Sequence, residues 1–320
     1  MKPELIVIVG PTAVGKTGLA IRVAEALGCE IVSADSRQVY REMRIGTAAP
    51  TDEELARVPH HMVRCRSVRD PLNAYGFEQE VLKLLPGAFA RGGGRAVLAG
   101  GSLMYVDAVC RGIDEMPDIP PPLRAELKNQ LEAHGLEAIV ERLRLLDPDY
   151  CAAADLKNPR RVLHALELCL VSGQTVSSLR RSIVRERPFH IRKFAVLRPR
   201  EELYARIELR VDQMMEAGLL AEARSLLPFH GLSPLDTVGY RELFAHLRGE
   251  ADLAEAVRLI KRNTRHYAKK QLTWINSDGG YIPLNPEDAE EKIISLLQNQ
   301  NQSHNFASSS SDVSADSSNG

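Results

Sequence analysis

Residues 5–17 read Leu5-Ile6-Val7-Ile8-Val9-Gly10-Pro11-Thr12-Ala13-Val14-Gly15-Lys16-Thr17, and this stretch decides the fold. The first five residues are wholly apolar and mostly β-branched, which suits a central parallel strand covered on both faces. The next eight match G-x-x-x-x-G-K-[ST], and the spacing of Thr17–Leu27 predicts a helix directly behind them. A strand before and a helix after are the context in which that pattern binds phosphate. Gly10 and Gly15 let backbone N–H groups turn inward, so that the segment Gly10, Thr12, Ala13, Val14, Gly15, Lys16, Thr17 wraps a polyphosphate. Lys16 neutralises the outer phosphate, and the Thr17 hydroxyl is the candidate ligand for Mg2+. The loop alone leaves kinase, ATPase, GTPase and transferase open, because fold does not dictate function.

Outward from the loop, Glu30-Ile31-Val32, Arg95–Ala99 and Lys193–Leu197 are further candidate strands, with helical stretches such as Glu78–Leu85 between some of them. Strands alternating with helices predict an α/β fold, a P-loop NTPase-like parallel sheet flanked by helices. The pattern changes at Met116-Pro-Asp-Ile-Pro-Pro-Pro122, a proline cluster that no helix or strand interior tolerates. Leu123–His134, Leu136–Leu146 and Pro159–Val171 then show helical spacing without a strand-like run. The expected organisation is a core of residues 1–120 and 189–297, an all-helical insertion at 121–188, and a disordered tail at 298–320 that has almost nothing apolar to bury. Helices at Glu201–Ala217, Leu219–Leu227, Tyr240–Arg248, Leu253–Trp274 and Asp288–Leu297 complete the core.

Bulk composition narrows the function classes. With Lys+Arg 41 against Asp+Glu 42 the net charge is -1, so any nucleic-acid surface has to come from local segregation of charge. The 5 cysteines form no C-x-x-C pair, which argues against a disulfide framework and a zinc site. No apolar run reaches the length of a signal-peptide core or a membrane span, so a cytoplasmic protein with no membrane partner is expected.

Ser33-Ala34-Asp35-Ser36-Arg37-Gln38-Val39-Tyr40 follows the second strand and brings Asp35 to a strand's carboxyl end, where α/β sheets bind ligands. A carboxylate there either holds Mg2+ indirectly or accepts a proton. At the third strand the chain runs into Gly100-Gly101-Ser102 without the terminal aspartate of ordinary P-loop ATPases, which weakens the hydrolase reading. His60, His61, His266 and Trp274 are read as packing or local hydrogen-bonding groups.

These motifs, in this order, resemble the bacterial tRNA dimethylallyltransferase family, also called tRNA isopentenyltransferase. The resemblance extends through Ile45-Gly46-Thr47-Ala48, Pro59-His60-His61, Asp70-Pro71, Gly100–Tyr105, Arg161 with Ala165-Leu166-Glu167, Val238-Gly239-Tyr240-Arg241-Glu242 and Thr264–Trp274. Where the family usually has lysine, threonine and arginine, this chain has Ala49, Ser102 and His164. The resemblance implies transfer of a dimethylallyl group from its diphosphate to N6 of adenosine 37, next to the anticodon of tRNA. It implies Asp35 as the acceptor of the amine proton, Ser102 as a hydrogen-bond partner of the same amine, and Arg210 as a second arm on the diphosphate. It further implies contacts to the tRNA anticodon arm from Asp35, Ser36, Arg37, Gln38, Ser102, Arg124, Arg160, Arg161, His164, Tyr240 and Arg241, with Mg2+ as cofactor and a monomeric enzyme.

Independently of that resemblance, eleven basic residues lie between Lys157 and Arg200 against only Glu167 and Glu186, and a second basic stretch runs from Arg258 to Lys270. Such segregation predicts an RNA partner. Three rivals remain: a metabolite kinase, an isopentenyltransferase acting on free AMP or ADP, and a non-catalytic tRNA binder.

Overall fold

The central strand is β1 (Glu4–Val9), whose residues Leu5 to Val9 are completely buried. It is flanked on both sides in parallel register, by β4 (Arg95–Gly100) with Leu5 opposite Ala96 and by β5 (His190–Val196) with Leu5 opposite Ile191. This two-sided pairing is why the run carries no polar alternation. With β2 (Glu30–Ser33), β3 (His60–His61) and β6 (Ile282–Leu284) the sheet is six-stranded, all parallel, in the order β3-β2-β4-β1-β5-β6. The computed structural model describes residues 2–180 and 184–298; Arg181 and residues 299–320 of the expected tail lie outside the described residues.

The helices are α1 (Lys16–Leu27), α2 (Asp52–Arg57), α3 (Ala74–Arg91), α4 (Leu103–Arg111), α5 (Pro121–Leu146), α6 (Pro148–Ala153), α7 (Pro159–Ser172), α8 (Val176–Leu179), α9 (Arg200–Glu216), α10 (Leu219–Leu226), α11 (Tyr240–Leu247), α12 (Leu253–Asp278) and α13 at residues 289–298. α1 starts on Gly15, which sits in the left-handed region at φ 105 and lets the loop turn into the helix. Its end is set by Gly28, whose N–H closes onto Ala24 and Glu25 carbonyls. α5 is broken at Gly135 (φ 76, ψ 176), so the two stretches read from sequence, Leu123–His134 and Leu136–Leu146, are two helical segments joined by that residue.

Two compact units divide the chain: Met1–Cys110 with Arg187 onward, and Arg111–Glu186. In the first, α1, α9 and α12 cover the sheet over a core that includes Ile8, Val14, Ile21, Phe194 and Ile207. The second is all helical among the described residues, with its own core around Leu127, Leu143, Val162 and Leu166. In the first unit, Arg187 donates to Glu78 at 2.6 Å and to the carbonyls of Ala108 and Val109, with both charged side chains nearly inaccessible.

Two strands were not anticipated. β3 has two residues and β6 three, one of them Pro283; both are edge strands with no alternation to read. The histidines of β3 are local hydrogen-bonding groups: His60 Nδ1 lies 2.7 Å from the Val58 carbonyl and His61 Nε2 2.8 Å from Glu30. Among the described residues no helix is long and apolar enough to cross a membrane.

Candidate active site

Because every strand runs the same way, the loops leaving β1, β2 and β4 emerge at one edge of the sheet. They place the phosphate loop, Asp35 and Ser102 together. A cavity of about 430 Å³ is lined by Thr12, Lys16, Thr17, Asp35, Arg210 and Gln271, among others. A second, of about 130 Å³, has the apolar wall Val211, Met214, Leu219 and Ile260 and is also lined by Ser36 and Arg37. The two share Thr12, Ala13, Asp35, Thr47, Arg210 and Tyr267, so they adjoin along these residues, Asp35 among them.

The loop is held in shape by its neighbours. Ala13 adopts φ 64, a costly conformation for a residue with a Cβ and one that recurs at ligand sites. Arg206 donates to the Ala13 carbonyl at 2.9 Å and Arg198 to that of Val14 at 3.1 Å, so these outward-facing carbonyls are satisfied. Lys16 Nζ donates to the Pro11 carbonyl at 2.8 Å. Burial, then repulsion from Arg210, pushes the Lys16 ammonium down to about 7 against the opposing pull of Asp35. Arg210 Nη1 is 3.5 Å from Thr12 Oγ1, and its own pKa is lowered, first by desolvation. The arginine therefore faces the cavity, not bulk solvent. Two cations crowded into a poorly solvated space make a strong site for a polyanion.

Asp35 is oriented by its own chain. Its Oδ1 accepts the N–H groups of Arg37 (2.9 Å) and Gln38 (3.2 Å), and among the described residues Oδ2 has no hydrogen-bond partner. The Gln38 side chain donates to the carbonyls of Thr47 (3.1 Å) and Ala48 (3.0 Å), which ties Asp35 to the Ile45–Ala48 turn. Ser102 Oγ accepts from Ser36 N at 2.8 Å and donates to Ser36 Oγ at 3.0 Å. Burial, then the Asp35 charge, pushes the Tyr267 phenol up to about 12, so it stays protonated.

Residues 38–278 match the family described as IPP transferase. The chain belongs to that family. It is 49% identical over 302 residues to tRNA dimethylallyltransferase 1 of Bacteroides thetaiotaomicron, covering 94% of this chain and 97% of the relative. It is 50% identical over 293 residues to tRNA dimethylallyltransferase 2 of Porphyromonas gingivalis, covering 92% and 97%. The crystal structure of the full-length tRNA isopentenylpyrophosphate transferase from Bacillus halodurans superposes with a TM-score of 0.69 at 32% identity, covering 96% of this chain and 99% of that one. The fold is accordingly the P-loop NTPase-like α/β sheet expected from residues 5–17.

The remaining expected positions fall into three groups. Arg124, Arg160, Arg161 and His164 are exposed in the helical unit, and the nearly buried carboxylate of Glu167 gathers Arg124 Nε (3.2 Å) and His164 Nδ1 (3.3 Å). Arg241 is half-exposed and lies 3.4 Å from Asp236. Tyr240 departs from the expectation of an RNA contact: it is completely buried, its hydroxyl donates to Glu222 at 2.6 Å, and burial raises its pKa. Its ring packs so close to Gly46 that a Cβ there would meet it at 2.7 Å. Tyr240 supports the turn from beneath instead of touching solvent.

Three residues that shape the site were not singled out from sequence. Gln271, buried, accepts the Thr12 N–H at 2.9 Å and donates to the Gly101 carbonyl at 2.8 Å, bridging the phosphate loop to the tip of β4. Glu222 accepts the N–H groups of Arg44, Ile45 and Gly46 and the Tyr240 hydroxyl. Tyr267 stands between the two cavities. Tyr267 and Gln271 fall within the Thr264–Trp274 segment, whereas no sequence signal marks Glu222.

The basic run from Lys157 to Arg200 is not one surface. Arg187, Arg192, Lys193 and Arg198 pair with Glu78, Glu4, Asp278 and Glu202 respectively, all inside the first unit. Adjacency in sequence overstated the patch because these four are paired with carboxylates, Arg192 and Lys193 from half-buried positions on β5.

Proposed function

We propose that this chain transfers the dimethylallyl group of dimethylallyl diphosphate to N6 of adenosine 37 in the tRNA anticodon arm, giving N6-(dimethylallyl)adenosine and diphosphate. The observation that carries the reading is the junction of the two cavities at Asp35, which has a diphosphate cradle on one side and the Ser36-Arg37 face on the other. The N6 lone pair forms the C–N bond as the C–O bond breaks. The electron pair of that bond leaves with the diphosphate, and one N6 proton passes to Asp35. An adenine amine is a weak nucleophile, so leaving-group stabilisation has to carry much of the barrier. Loop amides, Lys16 and Arg210 oppose the charge that develops on the diphosphate. Asp35, with Oδ1 tied to the chain, offers Oδ2 to the amine as a general base. Ser102 holds Ser36 in place and lies within the same cluster to orient the amine.

Mg2+ fits this donor set. Among the described residues no group of three or more His, Cys, Asp or Glu side chains could hold a metal by itself, yet magnesium needs only one or two protein oxygens when phosphates supply others. The Thr17 hydroxyl would hold it, with Asp35 lining the same cavity. Once bound, the ion would neutralise charge on the departing diphosphate. The exposed basic residues of α5 and α7, namely Arg124, Arg160, Arg161 and His164, are assigned to the RNA backbone. The enzyme acts as a cytoplasmic monomer in this reading.

The test is incubation of an unmodified adenosine-37 tRNA with the protein, Mg2+ and dimethylallyl diphosphate, followed by mass spectrometry of the nucleosides. A five-carbon mass gain on adenosine is expected. Asp35→Asn keeps an acceptor for the Arg37 and Gln38 amides and removes the base, so RNA binding persists while kcat falls by about 10²–10⁴. No mass gain from a folded wild-type protein overturns the proposal.

A further inference from the structure

Gln271 lies in the interior of α12 and is 5% exposed. Its Oε1 accepts the Thr12 N–H at 2.9 Å and its Nε2 donates to the Gly101 carbonyl at 2.8 Å. A backbone N–H can only donate and a carbonyl can only accept, so the two contacts fix which way the amide points. They also fix the residue type. A carboxylate has no proton for Gly101, an ammonium has no lone pair for Thr12, and asparagine is one methylene shorter. The amide therefore holds the phosphate loop at one end and the residue preceding Ser102 at the other, and it lines the larger cavity.

Both ends lead to reacting groups. A Cβ at Gly101 would stand 2.5 Å from Gln271 Nε2 and 3.7 Å from Lys16 Nζ, so the glycine lets amide and ammonium approach the tip of β4. Ser102, the next residue, grips the chain on either side of Asp35. Its N–H donates to the Ala34 carbonyl at 3.1 Å, and its Oγ accepts from the Ser36 N–H at 2.8 Å. At the loop end, Thr12 Oγ1 is 3.5 Å from Arg210 Nη1, and the adjacent Ala13 holds the positive φ. A continuous chain of contacts thus runs from the loop through Gln271, Gly101 and Ser102 to the two neighbours of Asp35. In a displacement whose reacting atoms must approach within about 3–3.5 Å, an error of about 1 Å in this spacing costs about 100-fold in rate.

We infer that Gln271 is a positioning residue for the transfer: through Thr12 on one side and Ser102 on the other, it sets the spacing between the diphosphate cradle and the Asp35 carboxylate. This rests on the proposed reaction. Its contribution is to the rate of the transfer step and not to the affinity for either substrate, because Lys16, Thr17 and Arg210 still line the diphosphate cavity without it.

The test compares Gln271→Met, which removes both polar ends from a side chain of similar length, with Gln271→Glu, which keeps an acceptor for Thr12 and sets a second oxygen against the Gly101 carbonyl. The full-length protein is assayed with an anticodon stem-loop RNA and dimethylallyl diphosphate. Gln271→Met is expected to lower kcat by about 100-fold, while KM for both substrates and RNA affinity by anisotropy stay within about twofold of wild type. In a Ser102→Ala background the same change should cost less than about tenfold, because the route to Asp35 is already weakened. A protonated carboxyl accepts from Thr12 and donates to Gly101 as the amide does, so the ratio of Gln271→Glu to wild-type kcat should rise as pH falls from about 8 to about 5. Lys16 and Arg210, which line the same cavity, favour the charged carboxylate, and burial against the Gly101 carbonyl opposes it. A residue that only supports folding would lower the melting temperature, with the ratio flat in pH and the two losses additive. Wild-type kcat in folded Gln271→Met, full additivity with Ser102→Ala, or a flat ratio overturns the positioning role and leaves the reaction standing. If Gln271→Met does not fold, the pH ratio of Gln271→Glu decides. Absence of transfer by the wild-type protein overturns the reaction itself.

Discussion

Replacing Glu222 by Gln should disable catalysis from a distance. The carboxylate of α10 accepts four hydrogen bonds: Oε2 takes the N–H groups of Arg44 and Ile45 at 2.8 Å each, and Oε1 takes Gly46 N at 2.9 Å and the Tyr240 hydroxyl at 2.6 Å. A glutamine has one acceptor oxygen. If that oxygen stays on Arg44 and Ile45, the amide NH2 can donate to Tyr240, but the Gly46 N–H loses its partner. Hydrogen bonds to a charged group contribute about 1.5–3 kcal/mol and neutral ones about 0.5–1.5 kcal/mol. Losing one and weakening the rest, with a discount for partial solvent access, costs about 2–4 kcal/mol at the turn. Amide exchange at Arg44, Ile45 and Gly46 should then accelerate by roughly 30- to 1,000-fold, which hydrogen exchange read by NMR or mass spectrometry resolves. The Ile45–Ala48 turn anchors Gln38, and the Gln38 amide anchors Asp35, so kcat should fall while KM for dimethylallyl diphosphate holds. Unchanged exchange at those three amides together with unchanged kcat would refute the chain of positioning argued here.

Two further expectations follow from buried charge. With the Lys16 ammonium pushed down to about 7 in the free site, its positive charge is present below pH 7 and lost as pH rises. Diphosphate binding restores it, so above pH 7 each unit should weaken pyrophosphate binding by up to about tenfold, with proton uptake seen by calorimetry in buffers of different ionisation enthalpy. Lys16→Arg should flatten that dependence, and a flat wild-type profile between pH 7 and 9 would contradict the assignment. Arg187→Ala should destabilise the protein by about 3–5 kcal/mol in urea unfolding, because it removes the cation that faces the inaccessible Glu78 carboxylate. Adding Glu78→Gln should recover part of the loss, and a single variant as stable as wild type would show that the pair is not structurally required.

The parts of this protein that were legible in the sequence are those whose physics is local. An apolar β-branched run, a glycine loop and a helix start are contiguous in residues 5–27, so both the parallel sheet and the phosphate cradle could be read there, as could Asp35 and Ser102 at the ends of their own strands. The break at Gly135 was visible for the same reason, since one residue carries the positive φ. What only the folded chain decided depends on residues brought together from far apart. The Gln271 bridge spans 259 positions to Thr12 and 170 to Gly101, and Glu222 reaches back 178 positions to Arg44. An amide or a carboxylate carries no mark of its partner. Tyr240 could not be placed inside rather than on the surface without knowing that Gly46 leaves room for its ring. Nor could the basic run be divided, because paired and solvated arginines look alike until strand β5 turns some of them toward carboxylates contributed by other elements.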